Sequence, residues 1–174
     1  MTEGQNFLGK YRGTVINNID PEQRGRMIVS VPDVLGPVPS TWAEPCTPLA
    51  GPTGPPMGVY MVPPIGAGVW VEFEHGDPDL PIWVGCRFGS TSDVPTLAFA
   101  GLPVSPNIVL QTAGQNSIVV SDLPGPTGGI MLKSATGAML IVNDTGIYIE
   151  NGKGASIRLV GPTVDVNNAA LTIT

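Results

Sequence analysis

The side chains best suited to chemistry cluster around the single histidine of the chain. His75 lies among four carboxylates, at Glu72, Glu74, Asp77 and Asp79, which in principle could bind Ca²⁺ or form an acid–base pair. Glu72 and Glu74 share one face of a predicted strand, but the other two lie in a turn without EF-hand spacing. One histidine cannot supply a multi-histidine metal site and argues against a Ser–His–Asp triad. The sequence therefore predicts a solvated acidic rim, no catalytic, cofactor or metal residues, and no enzyme activity.

Two cysteines raise the question of redox chemistry. Cys86 alternates with Ile82 and Val84 along a predicted strand, a position typical of a buried, reduced thiol. A disulfide with Cys46, or a redox role, is the alternative.

The charge balance restricts the partners of the protein. Fourteen acidic and eight basic side chains give a net charge of −6, and no cluster of Lys and Arg offers a track for a nucleic-acid backbone. The uncharged stretch 94–121 is interrupted by Pro95, Pro103 and Pro106, which argues against a membrane helix. Residues 1–6 lack a basic region followed by an apolar one, so we expect synthesis in the cytoplasm without a signal peptide.

The elements that position these residues are strands and turns. The chain contains 23 glycines and 19 prolines, both of which disrupt helices, so the predicted fold is all-β. Alternating apolar residues in the first half predict five short strands, at 11–17, 26–31, 59–62, 69–74 and 82–87. Five antiparallel strands suit a small closed barrel, because closure removes exposed edges. We assign this barrel to residues 1–92, with its core at 8–92, and the proline-rich segment 93–106 to a linker.

Residues 107–174 contain a repeat of very short strands. Eight three-residue units carry aliphatic side chains at their first and third positions, with turn formers between them. The units are Ile108/Leu110, Ile118/Val120, Ile130/Leu132, Leu140/Val142, Ile147/Ile149, Ile157/Leu159, Val164/Val166 and Leu171/Ile173. In the last four units the middle residue is Tyr148, Arg158, Asp165 or Thr172, which predicts one apolar and one mostly solvated face.

One copy of this apolar stripe is too thin to stabilise itself. Each buried aliphatic side chain contributes about 2–3 kcal/mol, whereas each ordered residue costs about 1–2 kcal/mol of backbone entropy. The stripe must therefore meet the stripes of identical chains around an axis, and three chains forming a triangular prism are the simplest closed arrangement. A single-chain left-handed β-helix is the alternative, but its six-residue rhythm does not fit unit spacings of 7 to 12 residues.

The last unit keeps the apolar pattern as far as Thr174. Solenoids normally end in a polar cap, because the final apolar layer otherwise faces water. Leu171, Ile173 and Thr174 are therefore predicted to be a platform for another protein, with fraying of the last row as the alternative.

The ordered motifs of the first half resemble the central spike proteins of contractile tails and injection systems. This family includes phage baseplate assembly protein V, phage tail spikes and VgrG of type VI secretion. The motifs are GKYRGTV at 9–15, NIDP at 18–21, GRMIV at 25–29, TWA at 41–43, PLAG at 48–51, PIGAGVWVEFE at 64–74 and GDPDLPIWVG at 76–85.

The resemblance implies a barrel of the oligosaccharide/oligonucleotide-binding (OB) type that serves as a collar, followed by a trimeric intertwined β-helical needle. The sixteen aliphatic side chains of the repeat would form the axial core of this homotrimer. A separate hub protein would meet the barrel, and a PAAR-type tip protein would cover Leu171, Ile173 and Thr174. The lysozyme domain, hub domain and His-x-His iron site of some family members have no counterpart here, so their activities are not expected.

The sequence therefore predicts a structural spike of a phage-tail-like baseplate, without cofactors and with only transient, mechanical membrane contact. A nucleic-acid- or glycan-binding OB domain with a trimerising β-helical tail is the alternative. The net charge of −3 over residues 8–92 argues against a nucleic-acid groove. A hydrolytic spike is a further alternative, for which the sequence offers no catalytic pair.

Overall fold

The computed structural model describes residues 6–51 and 54–174, which form two compact units divided between Thr91 and Ser92. The described residues of the first unit form a five-stranded sheet, one short α-helix and one 3₁₀ turn, Glu74–Gly76. Its elements are β1 (Tyr11–Asn17), β2 (Ile28–Ser30), α1 (Pro32–Leu35), β3 (Glu44–Pro45), β4 (Gly68–Phe73) and β5 (Pro81–Arg87). The strand order is β2-β1-β4-β5-β3, and all pairs are antiparallel except β3 with β5.

Alternation along the strands builds the core of the first unit. Val69, Val71 and Phe73 of β4 are buried on one side of the sheet, as the period of two predicts. They pack with the other buried apolar residues, which are Val15, Met27, Val29, Val31, Ala43 and Trp83. The Trp83 indole N–H donates to the Gly25 carbonyl at 3.1 Å, so this buried polar group is satisfied.

The barrel closes in a different way from the prediction. Residues 59–62 form no strand, and Pro63 and Pro64 follow them without N–H groups to extend a ladder. The edges of the curled sheet are joined instead by Met27 and Ala43, which exchange two backbone hydrogen bonds of 3.2 and 2.8 Å. The prediction missed β3, because a strand of two residues shows no alternation.

The prediction of a buried Cys86 is wrong. Trp70 lies opposite Gly85 and Val71 lies opposite Trp83, so the residue between Trp83 and Gly85 is a β-bulge. Ile82 and Val84, with which Cys86 alternates in the sequence, are only half-buried, because Trp83 occupies the core side of β5. Beyond the bulge Cys86 is exposed, although partial burial still raises the pKa of its thiol. Both cysteines are free in the structure, so the disulfide alternative does not hold there.

A polar cluster fixes the loop between β1 and β2. The Asp20 carboxylate accepts the backbone N–H groups of Glu22, Arg24 and Arg26 at 3.0, 2.8 and 3.2 Å. The Arg26 guanidinium donates to the same carboxylate at 2.7 Å and lies 5.5 Å from the centre of the Trp42 ring, within cation–π range. This guanidinium, together with the backbone donors, holds the pKa of Asp20 well below its usual 3.8 despite burial. The motifs of the sequence include Asp20, Arg26 and Trp42, but only the structure shows that these three residues contact one another.

The second unit is an eight-stranded antiparallel meander. Two 3₁₀ turns, Thr91–Asp93 and Thr96–Ala100, precede it around the predicted linker. The strands are β6 (Ile108–Gln111), β7 (Ser117–Ser121), β8 (Gly129–Lys133), β9 (Met139–Asn143), β10 (Gly146–Glu150), β11 (Ser156–Val160), β12 (Thr163–Val166) and β13 (Leu171–Ile173). Each strand pairs with the next. All eight predicted units therefore lie in strands, and the all-β class is confirmed.

The turns of the meander are held by asparagine side chains and by contacts with one another. The Asn151 Oδ1 accepts the backbone N–H groups of Lys153 and Ala155 at 2.8 and 3.0 Å. A Cβ added to Gly152 would lie 2.7 Å from the carbonyl carbon of Gly137 in a neighbouring turn. The turn between β8 and β9 and the turn between β10 and β11 lie at the same end of the strands, and their backbones pack against each other.

Candidate functional site: an apolar sheet face

The strand register brings the sixteen predicted core side chains together on one side of the sheet. Residues that lie directly opposite each other in neighbouring strands project to the same face, and here each aliphatic residue faces another. The first row is Leu110, Ile118, Leu132, Leu140, Ile149, Ile157, Val166 and Leu171. The second row is Ile108, Val120, Ile130, Val142, Ile147, Leu159, Val164 and Ile173. We call these two rows the apolar face.

The chain does not cover its own apolar face. Thirteen of the sixteen side chains are exposed, from 36% for Ile147 to 68% for Ile108, and the others are half-buried. Among the described residues of this unit, Val119 on the opposite face is the one hydrophobic residue that is fully buried. Two continuous aliphatic rows that remain in water mark an interaction surface.

The opposite face changes character along the meander. Its central row is apolar in the first four strands, at Val109, Val119, Met131 and Ile141, and polar in the last four, at Tyr148, Arg158, Asp165 and Thr172. Arg158 lies opposite Asp165 and 3.6 Å from a carboxylate oxygen of Glu150. The polar half agrees with the solvated face that the sequence predicts for the last four units. The apolar half was not predicted from the sequence.

The predicted platform residues lie at one edge of the sheet. Strand β13 pairs with β12 alone, and Leu171 and Ile173 are 56% and 58% exposed. Thr174 follows and is also exposed. An edge strand presents main-chain donors and acceptors to a further partner.

The acidic residues around His75 make ordinary surface contacts. Glu72 forms an ion pair with Lys10, and the exposed His75 imidazole lies 3.7 Å from a Glu74 carboxylate oxygen. The Asp77 carboxylate accepts the backbone N–H of Asp79 at 3.0 Å and so fixes the turn. Within residues 6–51 and 54–174, no three or more His, Cys, Asp or Glu side chains are grouped to hold a metal ion. No helix in these ranges is long and apolar enough to cross a membrane.

Two family models match the chain, one in each unit. Residues 11–88 match the type VI secretion system/phage-baseplate injector OB domain. Residues 107–172 match the phage baseplate V C-terminal trimerisation domain. Comparison with curated proteins gives no match.

An OB domain joined to a trimerisation domain with an uncovered apolar sheet defines a structural protein of the baseplate. The chain belongs to the phage baseplate V family of spike proteins, which confirms the resemblance found in the sequence. Trimerisation and incorporation into a phage or injection particle follow from this membership.

Proposed function

We propose that the protein is the central spike of a contractile tail or injection system, which pierces the target envelope and links a hub protein to a tip protein. The observation that carries this proposal is the apolar face on a domain of the trimerisation family. Three apolar faces turned toward a common axis would form a triangular prism with a dry core. Sheath contraction would drive this narrow rod through the envelope, and its stiffness would come from interstrand hydrogen bonds and axial packing.

The two units would then have separate mechanical roles. Residues 1–92, with a core at 8–92, would be the collar that seats on the hub, and residues 107–174 would be the needle. The collar has a buried core of its own, which suits a rigid mount. The segment 93–106 would join collar and needle. No step of this mechanism requires a catalytic group, and we propose that the protein is not an enzyme.

The platform at Leu171, Ile173 and Thr174 would receive the tip protein, of PAAR type. Support comes from the exposure of both aliphatic side chains and from the edge position of β13. A partner that continues the sheet would pair with the main chain of β13 and cover these side chains at the same time.

The first test of the proposal is the absolute mass in solution, measured by light scattering behind a sizing column. We expect about three times the chain mass of 18.0 kDa, because the apolar face requires covering by two further copies. A monomer at the concentrations of purified protein would contradict the axial assignment.

A matched pair of substitutions tests which face lies inside. Leu159 and Val160 are neighbours in β11, on opposite faces, and are 37% and 45% exposed in the single chain. Leu159→Asp would place three carboxylates at one level of the axis, where desolvation and repulsion cost several kcal/mol, so we expect loss of the trimer. Val160→Asp should keep the trimeric mass. Equal behaviour of the two variants would show that the apolar face is not the axial core.

A further inference from the structure

The segment before the meander is held firmly to the first strands of the second unit. We call residues 96–106 the clasp. The side-chain amide of Asn107 donates to the Leu97 carbonyl at 2.8 Å, and the Ser105 hydroxyl donates to an Asp122 carboxylate oxygen at 2.6 Å. The 3₁₀ turn of the clasp, Thr96–Ala100, contacts β6. These contacts are those of a docked element and not of a free spacer.

Gly101 shows how closely the clasp approaches the start of the sheet. A Cβ at this position would lie 2.5 Å from the Asn107 Oδ1 and 2.8 Å from the Asn107 backbone nitrogen. Real Cβ atoms do not approach so closely, so only glycine fits. The Ser105 N–H also donates to the Leu102 carbonyl at 3.0 Å, which closes a turn inside the clasp.

Three large apolar side chains of the clasp are nevertheless exposed to solvent. Phe99, Leu102 and Val104 are 60%, 41% and 92% exposed. Three exposed apolar side chains within six residues of an ordered segment make this segment a candidate interface.

The clasp lies beside the β6 end of the second unit, where the apolar face begins, because its 3₁₀ turn contacts β6. Val104 precedes Ile108 by four residues, and Ile108 and Leu110 are the most exposed positions at the β6 end of the two rows. The trimerisation match begins at residue 107, so the clasp lies directly beside a surface that meets other copies. The first layer of an axial core also needs an apolar cover against water, as the ends of solenoids do.

We propose that the clasp of each copy packs against a second copy of this chain in the trimer. Phe99, Leu102 and Val104 are buried there and close the Ile108 end of the axial core. The trimer interface thus extends to residues 96–106, beyond the matched trimerisation domain. This inference rests on the proposed axial core.

Thiol accessibility tests the inference without removing the contact. In a chain with Cys46→Ser and Cys86→Ser, Val104→Cys is compared with Lys153→Cys, which lies in an exposed turn of the same unit. The trimeric mass of both proteins is verified first, and the rate of maleimide labelling is then measured. We expect labelling of Val104→Cys to be at least about tenfold slower in the native trimer, because burial protects a group from solvent reagents. In denaturant the two rates should be equal.

The same measurement shows whether the cover of this residue depends on the trimer. When Leu159→Asp is added and the chain is monomeric, Val104→Cys should label as fast as Lys153→Cys. Equal rates in a verified trimer would overturn the inference, and so would slow labelling of the monomer, since the cover would then be the chain itself. If the chain forms no trimer even without Leu159→Asp, the proposed function fails before the clasp is tested.

Discussion

At the residue scale, Asp20 organises the loop between β1 and β2. Its carboxylate accepts three backbone N–H groups and the Arg26 guanidinium. When the carboxylate is removed, the three backbone donors lose this acceptor and the guanidinium keeps only its ion pair with Glu22. Buried donors without acceptors are destabilising. The single negative charge thus links the turn, the guanidinium and the Trp42 ring in one structure.

We expect Asp20→Asn to destabilise the first unit in a pH-dependent way. The folded pKa of Asp20 lies well below the usual 3.8, so on acidification the unfolded state binds the proton first and stability falls. The stabilisation of the fold by ionised Asp20 is complete above about pH 5. It declines as the pH falls through the pKa of Asp20 in the unfolded state and then through its pKa in the folded state. The difference in denaturant midpoint between wild type and variant should therefore shrink from pH 5 toward pH 3.

Asp33 provides the control, because it is exposed at the start of α1. Asp33→Asn should shift the denaturant midpoint little. If Asp20→Asn and Asp33→Asn gave parallel curves, the Asp20 carboxylate would not be the source of the acid sensitivity.

At the element scale, stacked turns limit what side chains the meander accepts. Gly152 and Gly154 both have positive φ values, of 69° and 100°, so alanine is strained at either position. A Cβ at Gly152 would also lie 2.7–2.8 Å from backbone atoms of the turn at Gly137, whereas a Cβ at Gly154 would meet nothing within 4 Å. We expect Gly152→Ala to lower the free energy of unfolding by about 1–3 kcal/mol more than Gly154→Ala.

Chemical denaturation of the two alanine variants, at equal protein concentration, measures this difference. Strain from φ is no smaller at Gly154, whose φ of 100° lies farther from the left-handed region than the 69° of Gly152, so a surplus loss at Gly152 reports the contact between turns. Equal losses of stability would mean that the turns at Gly137 and Gly152 do not pack against each other.

The strands show which parts of the fold the sequence could predict. Alternation located β4 and all eight strands of the meander, because a period of two fixes both the strand and the face that it buries. It failed at β3, which has two residues, at residues 59–62, where the chain turns into Pro63 and Pro64, and at Cys86, beyond a bulge. Pairings with distant partners and bulges leave no periodic signal in the local sequence. The sixteen aliphatic side chains of the repeat, in contrast, lie on one face of the sheet, as the alternation predicted.

At the scale of the whole molecule, burial is divided unequally between the two units. Among the described residues, the first unit encloses nine buried apolar ones, whereas the second unit has one buried hydrophobic residue, Val119. A unit without a core cannot offset the conformational entropy of ordering its chain. The first unit should therefore fold in the monomer, and the meander should fold only when three chains associate.

Coupled folding predicts two unfolding transitions with different dependence on protein concentration. All three tryptophans, Trp42, Trp70 and Trp83, precede residue 92, so tryptophan fluorescence reports the first unit alone, and far-ultraviolet circular dichroism reports both units. On dilution of the protein, the fluorescence midpoint should stay constant. The midpoint of the dichroism change that reports the meander should move to a lower denaturant concentration, because association stabilises the folded meander by mass action.

The Leu159→Asp variant separates folding from assembly in the same experiment. As a monomer, it should retain the fluorescence transition of the first unit and lose the concentration-dependent part of the dichroism signal. A meander that unfolds at the same denaturant concentration at every protein concentration would mean that the single chain is stable by itself. In that case the exposed aliphatic rows would not need other copies for folding, and association would follow folding as a separate step.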